Sequence, residues 1–257
     1  MRLVLSSMVS LPKTLLPARA KAGILFSNLT EYGNGGELIM VDITKDAVLQ
    51  ERGIHFGLVE VTYPEPEAWR PDALYAAADE VICSLREEYR DYDRKAVFGE
   101  HPYSRFFKKF KKTYPVMLQF ESCLFQGRPF PHGNPVAEVP FLAELRTRVL
   151  MGTHDLDRVR GPILLCSGTE KEPFPGMRGE AHTYPNDVVG RDDGGVIFSM
   201  IAGADDRTCA HPESRHVFYP VFGVPNFSVE AMEEAQRTAA AYARILAPDA
   251  EIAFQML

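Results

Sequence analysis

The spacing of apolar positions along the chain predicts several helices. Apolar residues recur at steps of three and four over 71–90, and again over 228–246, as expected for the buried stripe of a helix. Ser228 is a suitable N-cap for the second of these helices. A shorter amphipathic stretch over 116–127 ends at Gly127 and predicts a third helix.

A further helix is predicted to begin at the dipeptide Asn134–Pro135. Asn can accept hydrogen bonds from free backbone N–H groups at a helix start, and Pro is tolerated at the first helical position. Pro140 complicates this pattern, because an interior proline removes one backbone hydrogen bond and crowds the preceding turn. The helix is therefore expected either to kink at Pro140 or to begin there, and to continue to Val149.

Strands are indicated where short apolar runs lie between Gly, Pro and Asp clusters. They are predicted over 36–43, 55–63, 162–167, 195–201, 216–223 and 250–257. Helical patterns are segregated from strand patterns, which indicates the α+β class. We expect a single domain over 36–257, preceded by a poorly ordered N-terminal extension over 1–35.

Composition and charge narrow the possible functions. A hydrophobic content of 46% excludes an intrinsically disordered chain, and no apolar run is long enough for a membrane span. With 28 basic and 35 acidic residues the net charge is −7, so contact with nucleic acid would need a local basic patch. The four cysteines form no CxxC pair, which favours reduced thiols and a cytoplasmic location. No metal-ligand spacing and no common nucleotide, hydrolase or zincin motif occurs, so neither a metal nor a cofactor is expected.

A local basic patch is present in the segment SRFFKKFKKTYP, where cations alternate with phenylalanines. The cations of this basic run are Arg105, Lys108, Lys109, Lys111 and Lys112. They could contact phosphates and release condensed counterions. The alternative is a solvated helix face whose phenylalanines lie in the core.

Two polar segments are candidates for chemistry. His154 and Asp155 in THDLDRVRGPI precede a predicted strand, and a histidine beside acids can transfer protons near neutral pH. The alternative is that His154 only orients a turn. The second segment, RDDGGVIFSMIAGADDRTCAHPES, carries acids, a base and a hydroxyl. It is a surface loop unless its side chains converge with His154.

The same segments resemble the editing domain of the phenylalanyl-tRNA synthetase β subunit, formed by its fused third and fourth domains, and more closely the freestanding relatives of that domain. The resemblance covers 104–245 and rests on the order of NPVAEVPFLAEL, THDLDRVRGPILL and DVVGRDDGGVIFSMIAGADDRTCAHPESRHVFYPVFG. It implies an α+β fold with mixed and antiparallel sheets packed with helices, and a cleft for the aminoacylated end of a tRNA. In that family a positioned water attacks the aminoacyl ester, and no covalent nucleophile is needed.

By this resemblance His154 and Asp155 are the expected catalytic residues. The expected substrate-binding residues are Glu138, Arg207, Thr208 and Tyr219. The basic run is the expected tRNA contact, and neither a membrane nor DNA is an expected partner.

The sequence also departs from the family pattern. Pro220 stands where the synthetase has the acid that senses a tyrosine hydroxyl, and Gly152 stands nearest its cleft histidine. Phe141 replaces an asparagine that the family often shows, although Glu138 keeps an acid nearby. Aminoacylation motifs are absent, so a complete ligase is not expected.

Three functions therefore remain open. The first is a freestanding hydrolase of mischarged aminoacyl-tRNA. The second is a module that binds or transfers an aminoacyl-tRNA or an amino acid without hydrolysis. The third is a hydrolase of small metabolites. A basic run at the mouth of the cleft that accepts the aminoacyl group would favour tRNA, whereas a run that points away from this cleft would favour a small molecule.

Overall fold

The computed structural model describes residues 40–257. The extension predicted over 1–35 and the first half of the strand predicted over 36–43 lie outside this range, and in the second half only Ile43 belongs to a strand. Within it the protein is α+β, with one mixed sheet, one antiparallel sheet and a separate two-stranded hairpin packed with helices, as the sequence predicts. No helix in the described part of the chain is long and apolar enough to cross a membrane.

Seven α-helices are present in the described residues. They are α1 (Ala47–Glu51), α2 (Pro71–Glu88), α3 (Arg94–Phe98), α4 (Pro102–Lys109), α5 (Pro115–Leu124), α6 (Pro135–Thr147) and α7 (Val229–Leu246). The bounds of α2, α5, α6 and α7 confirm the predicted helices to within a few residues. Helices α3 and α4 fall in a charged segment for which no helix is predicted outright.

The described residues contain eleven strands. They are β1 (Ile43–Lys45), β2 (Phe56–Thr62), β3 (His154–Asp155), β4 (Ile163–Ser167), β5 (Pro173–Gly176), β6 (Gly179–His182), β7 (Val188–Asp192), β8 (Gly195–Ser199), β9 (Gly203–Ala204), β10 (His216–Phe222) and β11 (Glu251–Met256). The mixed sheet has the order β1-β4-β7-β8-β9, with β1 and β4 parallel. The antiparallel sheet has the order β11-β2-β10-β3. Strands β5 and β6 form the hairpin.

Strands β2 and β10 form the centre of the antiparallel sheet and are almost wholly buried. Helix α7 packs beside β2 and also on α6. The Gln236 amide of α7 donates to the carbonyls of Leu58 and Gln255, each at 2.9 Å, and so joins the helix to β2 and β11. Side chains of β10 are buried on both faces, and the described cavities nearest to it lie at its two ends.

Helix α6 passes through Pro140 without ending, so it begins at Pro135 and not at Pro140. Asn134 caps it, accepting from the Ala137 N–H at 3.3 Å. Pro140 has no backbone N–H, so the Val136 carbonyl, one turn earlier, has no helical donor. The Tyr219 hydroxyl donates to this carbonyl at 3.0 Å and also meets the Tyr63 hydroxyl at 2.7 Å. Tyr219 therefore compensates for the interior proline.

Candidate functional site

Two adjoining cavities, of about 570 and 200 Å³, form what we call the basic–aromatic groove. They share Phe106, Lys109 and Pro225. The cations on the walls are Arg52, Arg105, Lys109 and Lys111, and the aromatic residues are Phe106, Phe110 and Tyr184. Among the described residues, no carboxylate lines either cavity. The groove is therefore a positively charged site on a chain of net charge −7.

Helix α4 positions the basic run on this groove. Phe106 and Phe107 are 3% and 2% exposed, and their burial fixes the helix against the core with its cations outward. The helix ends after Lys109, and Lys111 has a φ of 57°, so the chain turns there through the left-handed region. This turn brings Lys111 to the groove beside Phe110. Both interpretations of the run are thus partly right, since Phe106 and Phe107 lie in the core whereas the cations lie in solvent.

Aromatic rings hold two of the ammonium groups near the groove. The Lys109 Nζ lies 5.9 Å from the Phe106 ring centroid, and the Lys112 Nζ lies 5.8 Å from that of Tyr184. Tyr184 meets Phe110 edge to face at 5.9 Å. Lys108 is exposed but lines neither cavity. The five predicted cations are therefore not equivalent.

Arg52 is the groove cation that sequence reasoning missed. Its guanidinium donates to the Ser167 hydroxyl at 2.8 Å and to the Asn186 carbonyl at 2.9 Å, which fixes its position. Burial lowers the pKa of Arg52, opposed by Asp46 and Asp187, yet an arginine remains charged at neutral pH. A single arginine so far from the basic run carries no signal in the sequence, because only the fold brings them together.

A second site, of about 440 Å³, lies at the start of β10, and we call it the acid–histidine cavity. Its ionisable residues are Asp155, Asp157, Arg158, His211, Glu213, Arg215 and His216. Asp155 accepts from the Ser214 hydroxyl at 2.6 Å and lies 3.5 Å from the Arg158 guanidinium. Unlike the groove, this cavity carries charges of both signs.

His216 bridges two carboxylates at this cavity. Its Nε2 lies 3.0 Å from Glu60 on β2, and its Nδ1 lies 3.4 Å from Asp157. The hydrogen bond to Glu60 and the attraction of both acids raise the pKa of His216 against the effect of burial. No signal in the sequence pairs His216 with Glu60, since the pairing depends on the register of β2 and β10.

His154 is buried and lines neither the groove nor the acid–histidine cavity. It is 1% exposed, and its ring stacks on Phe218 with centroids 5.0 Å apart. Its Nδ1 lies 2.8 Å from the Thr208 hydroxyl, which itself donates to Asp205. The histidine must therefore donate from Nδ1–H. Burial lowers the pKa of His154 to about 3, so the ring is neutral at physiological pH.

The other predicted substrate-binding residues are separated. Arg207 forms a bidentate pair with Asp192, at 2.7 and 2.8 Å, and joins the ADDRT turn to the RDDGG turn. Glu138 is 3% exposed, and its Oε1 accepts from the Asn134 N–H at 2.9 Å. Its Oε2 is buried and has no hydrogen-bond partner among the described residues. The structure thus brings His154 to Thr208 and puts Asp155 at a cavity, while Arg207, Glu138 and Tyr219 make structural contacts.

The described residues contain no group of three or more His, Cys, Asp or Glu side chains that could hold a metal ion. Cys83, Cys123, Cys166 and Cys209 are free thiols.

No family model matches the sequence, and no curated protein matches it. Among solved structures, the chain is similar to an N-terminal fragment of the phenylalanyl-tRNA synthetase β subunit from Pyrococcus horikoshii. That similarity covers 82% of this chain with a TM-score of 0.41 and 12% sequence identity. The chain spans 50% of the length of that fragment.

Proposed function

We propose that this protein binds tRNA, and that it does so through the basic–aromatic groove. The observation that carries the proposal is the lining of the groove, where four cations meet the half-buried rings of Phe110 and Tyr184, with no carboxylate among the described residues of its walls. Cations attract the phosphate backbone, and aromatic faces accept bases by stacking. The choice of tRNA among RNAs follows from the resemblance of 104–245 to a tRNA-editing domain.

The charge of the whole chain supports this docking site. The protein is net negative, so most of its surface repels a polyanion and the groove attracts it. Among the described residues neither Lys109 nor Lys111 forms an ion pair with an acid, so both ammonium groups are free to meet phosphates. The basic run lies at this groove and not at the acid–histidine cavity that Asp155 lines, so the proposal rests on the groove itself and not on a basic run at the mouth of the predicted cleft.

Binding without hydrolysis accounts for the geometry better than catalysis by His154. A general base must reach the proton that it abstracts. His154 is 1% exposed, stacked on Phe218 and bonded to Thr208, so a substrate would have to displace core side chains to reach it. The non-hydrolytic module is therefore the first candidate.

Hydrolysis of an aminoacyl ester is the second candidate, and one observation favours it. Asp155, the other predicted catalytic residue, lines the acid–histidine cavity beside His211, Ser214 and His216. A carboxylate at a cavity wall can orient a water for attack on an ester carbonyl.

Binding can be tested by fluorescence anisotropy with labelled tRNA. We expect Lys109→Ala with Lys111→Ala to weaken binding and Lys108→Ala, on the same helix but outside the groove, to leave it nearly unchanged. Equal effects of both variants would contradict binding in the groove. Deacylation of a panel of aminoacyl-tRNAs by wild type and Asp155→Asn tests the second candidate, since only catalysis at the cavity predicts turnover that the variant loses.

A further inference from the structure

We infer that the groove holds an unpaired strand of RNA, at least two nucleotides long, and excludes a base-paired helix. This inference rests on the proposed binding of tRNA and specifies which part of such a molecule enters. Three features of the groove support it: its two adjoining cavities, its half-exposed aromatic wall and the distribution of its cations.

The arrangement of the two cavities side by side sets the length of the ligand. They share Phe106, Lys109 and Pro225 in their walls, so they adjoin each other. Arg52 and Lys111 stand on the larger side and Arg105 on the smaller, with Lys109 between them. A mononucleotide carries its charge at one end and would meet only one of these groups. A strand presents a phosphate at every nucleotide and can meet cations in both cavities.

The aromatic wall indicates that the bound RNA is unpaired and not base-paired. Tyr184 and Phe110 are half-buried, so part of each ring remains open to the groove. Bases in a duplex are stacked on their own neighbours and present only edges in the grooves of the helix, whereas an unpaired base can leave the strand and stack on a ring. Lys112 lies over the Tyr184 ring and adds a cation beside the stacking surface.

Arg52 adds a fixed anchor to this wall. Its bonds to Ser167 and the Asn186 carbonyl hold the guanidinium at the side of the cavity that Tyr184 also lines. A guanidinium held in this way can contact a phosphate without first losing side-chain freedom, unlike the exposed lysines. Arg52→Lys keeps the positive charge but loses the two-pronged guanidinium that Ser167 and Asn186 hold. Its effect on RNA affinity therefore distinguishes the contribution of a fixed position from that of charge alone.

The test is anisotropy with the full chain and a labelled unstructured RNA oligonucleotide, free or annealed to its complement, with AMP as competitor. We expect the single strand to bind at least about tenfold more tightly than the duplex, which cannot make the stacking contacts. We also expect AMP to compete only at far higher concentration. Equal affinity for strand and duplex, or competition by AMP at the concentration of the strand, would overturn the inference.

Variants then assign the contacts. Tyr184→Leu should weaken the single strand about tenfold and leave the weak duplex binding unchanged, because only the strand can stack. Phe254→Leu is the matched control, since Phe254 is an exposed aromatic residue on β11, outside the groove. If Tyr184→Leu behaves like Phe254→Leu, the aromatic wall does not bind bases.

These outcomes separate the inference from the proposed function. RNA binding that depends on Lys109 and Lys111 but is equal for strand and duplex contradicts the inference alone. Absence of any binding that depends on these lysines contradicts the proposed function as well.

Discussion

The basic–aromatic groove and the acid–histidine cavity lie at opposite ends of strand β10. The cavity is lined by His216, where the strand begins, and the groove by Val224 and Pro225, just after it ends. The seven residues of β10 extend over about 20 Å, at about 3.4 Å per residue. The two sites are therefore distinct, although one strand supports both.

The two sites differ in what happens to their charges. In the cavity Asp155 is bound by Ser214 and lies near Arg158, and His216 lies between two acids. These charges are already compensated within the protein. In the groove the lysines face rings and solvent, so their charge is available to a ligand. A cluster of ionisable residues therefore favours binding of a charged ligand where the fold leaves its charges unpaired.

The largest expected effect is the loss of tRNA affinity when the cations of the groove are removed. Replacing Arg52, Lys109 and Lys111 together with Ala should weaken tRNA binding by at least about a hundredfold at low salt and lower the log–log salt slope by about 0.7–0.9 for each phosphate that is no longer bound. Anisotropy titrations at several salt concentrations measure both quantities. Replacing Arg158 and Arg215 of the cavity with Ala is the control with a similar loss of charge. If the cavity variant weakens affinity as much as the groove variant, the distinction between the two sites fails.

An intermediate effect is expected on stability, at the buried contact between His154 and Thr208. Thr208→Val removes a hydroxyl that bonds both His154 and Asp205, so the buried His154 Nδ1 loses its partner, whereas Asp205 still accepts from the backbone N–H of residue 208. The free energy of unfolding should fall by about 2–3 kcal/mol, as measured by urea denaturation. Thr169→Val, at an exposed position, should change it little. RNA affinity of the folded Thr208→Val variant should match wild type, and a weaker affinity would show that Thr208 faces a ligand.

The smallest expected effect is a pH dependence of the stability that His216 contributes. Its pKa is raised in the folded state by Glu60 and Asp157, so its stabilising effect is complete below its ordinary value of 6.5 and is lost as the pH rises through the folded value. The stability difference between wild type and His216→Gln should therefore be larger at about pH 5.5 than at about pH 8.5. Urea denaturation at both pH values measures it. A difference that grows with pH would contradict the pairing of His216 with these acids.

Much of the fold was predictable because local patterns determine it. The stripes of α2 and α7 and the β-branched runs of β2 and β10 have the periods of their elements. Pro140 shows the limit of local reasoning. A proline in mid-helix costs a hydrogen bond, and Tyr219 supplies a donor to the freed carbonyl from a strand distant in sequence.

The candidate site was predictable only in part. The basic run was visible as a cluster of cations in one segment, but Arg52 and Tyr184 reach the groove through tertiary packing. The run also could not show that Lys108 lies outside the groove while Lys109 lines it. His154 and Asp155 are neighbours in sequence, yet only Asp155 lines the acid–histidine cavity and His154 packs in the core, a difference that a motif cannot show.

The most direct test of the central claim is the chemical reactivity of individual lysines with and without tRNA, read by mass spectrometry of the acetylated protein. If RNA occupies the groove, Lys109 and Lys111 become protected when tRNA is added. Lys108 on the same helix and Lys171 elsewhere on the surface stay reactive. Equal protection of Lys108 and Lys109, or no protection of Lys109 and Lys111 at saturating tRNA, would contradict the claim that the groove is the RNA site.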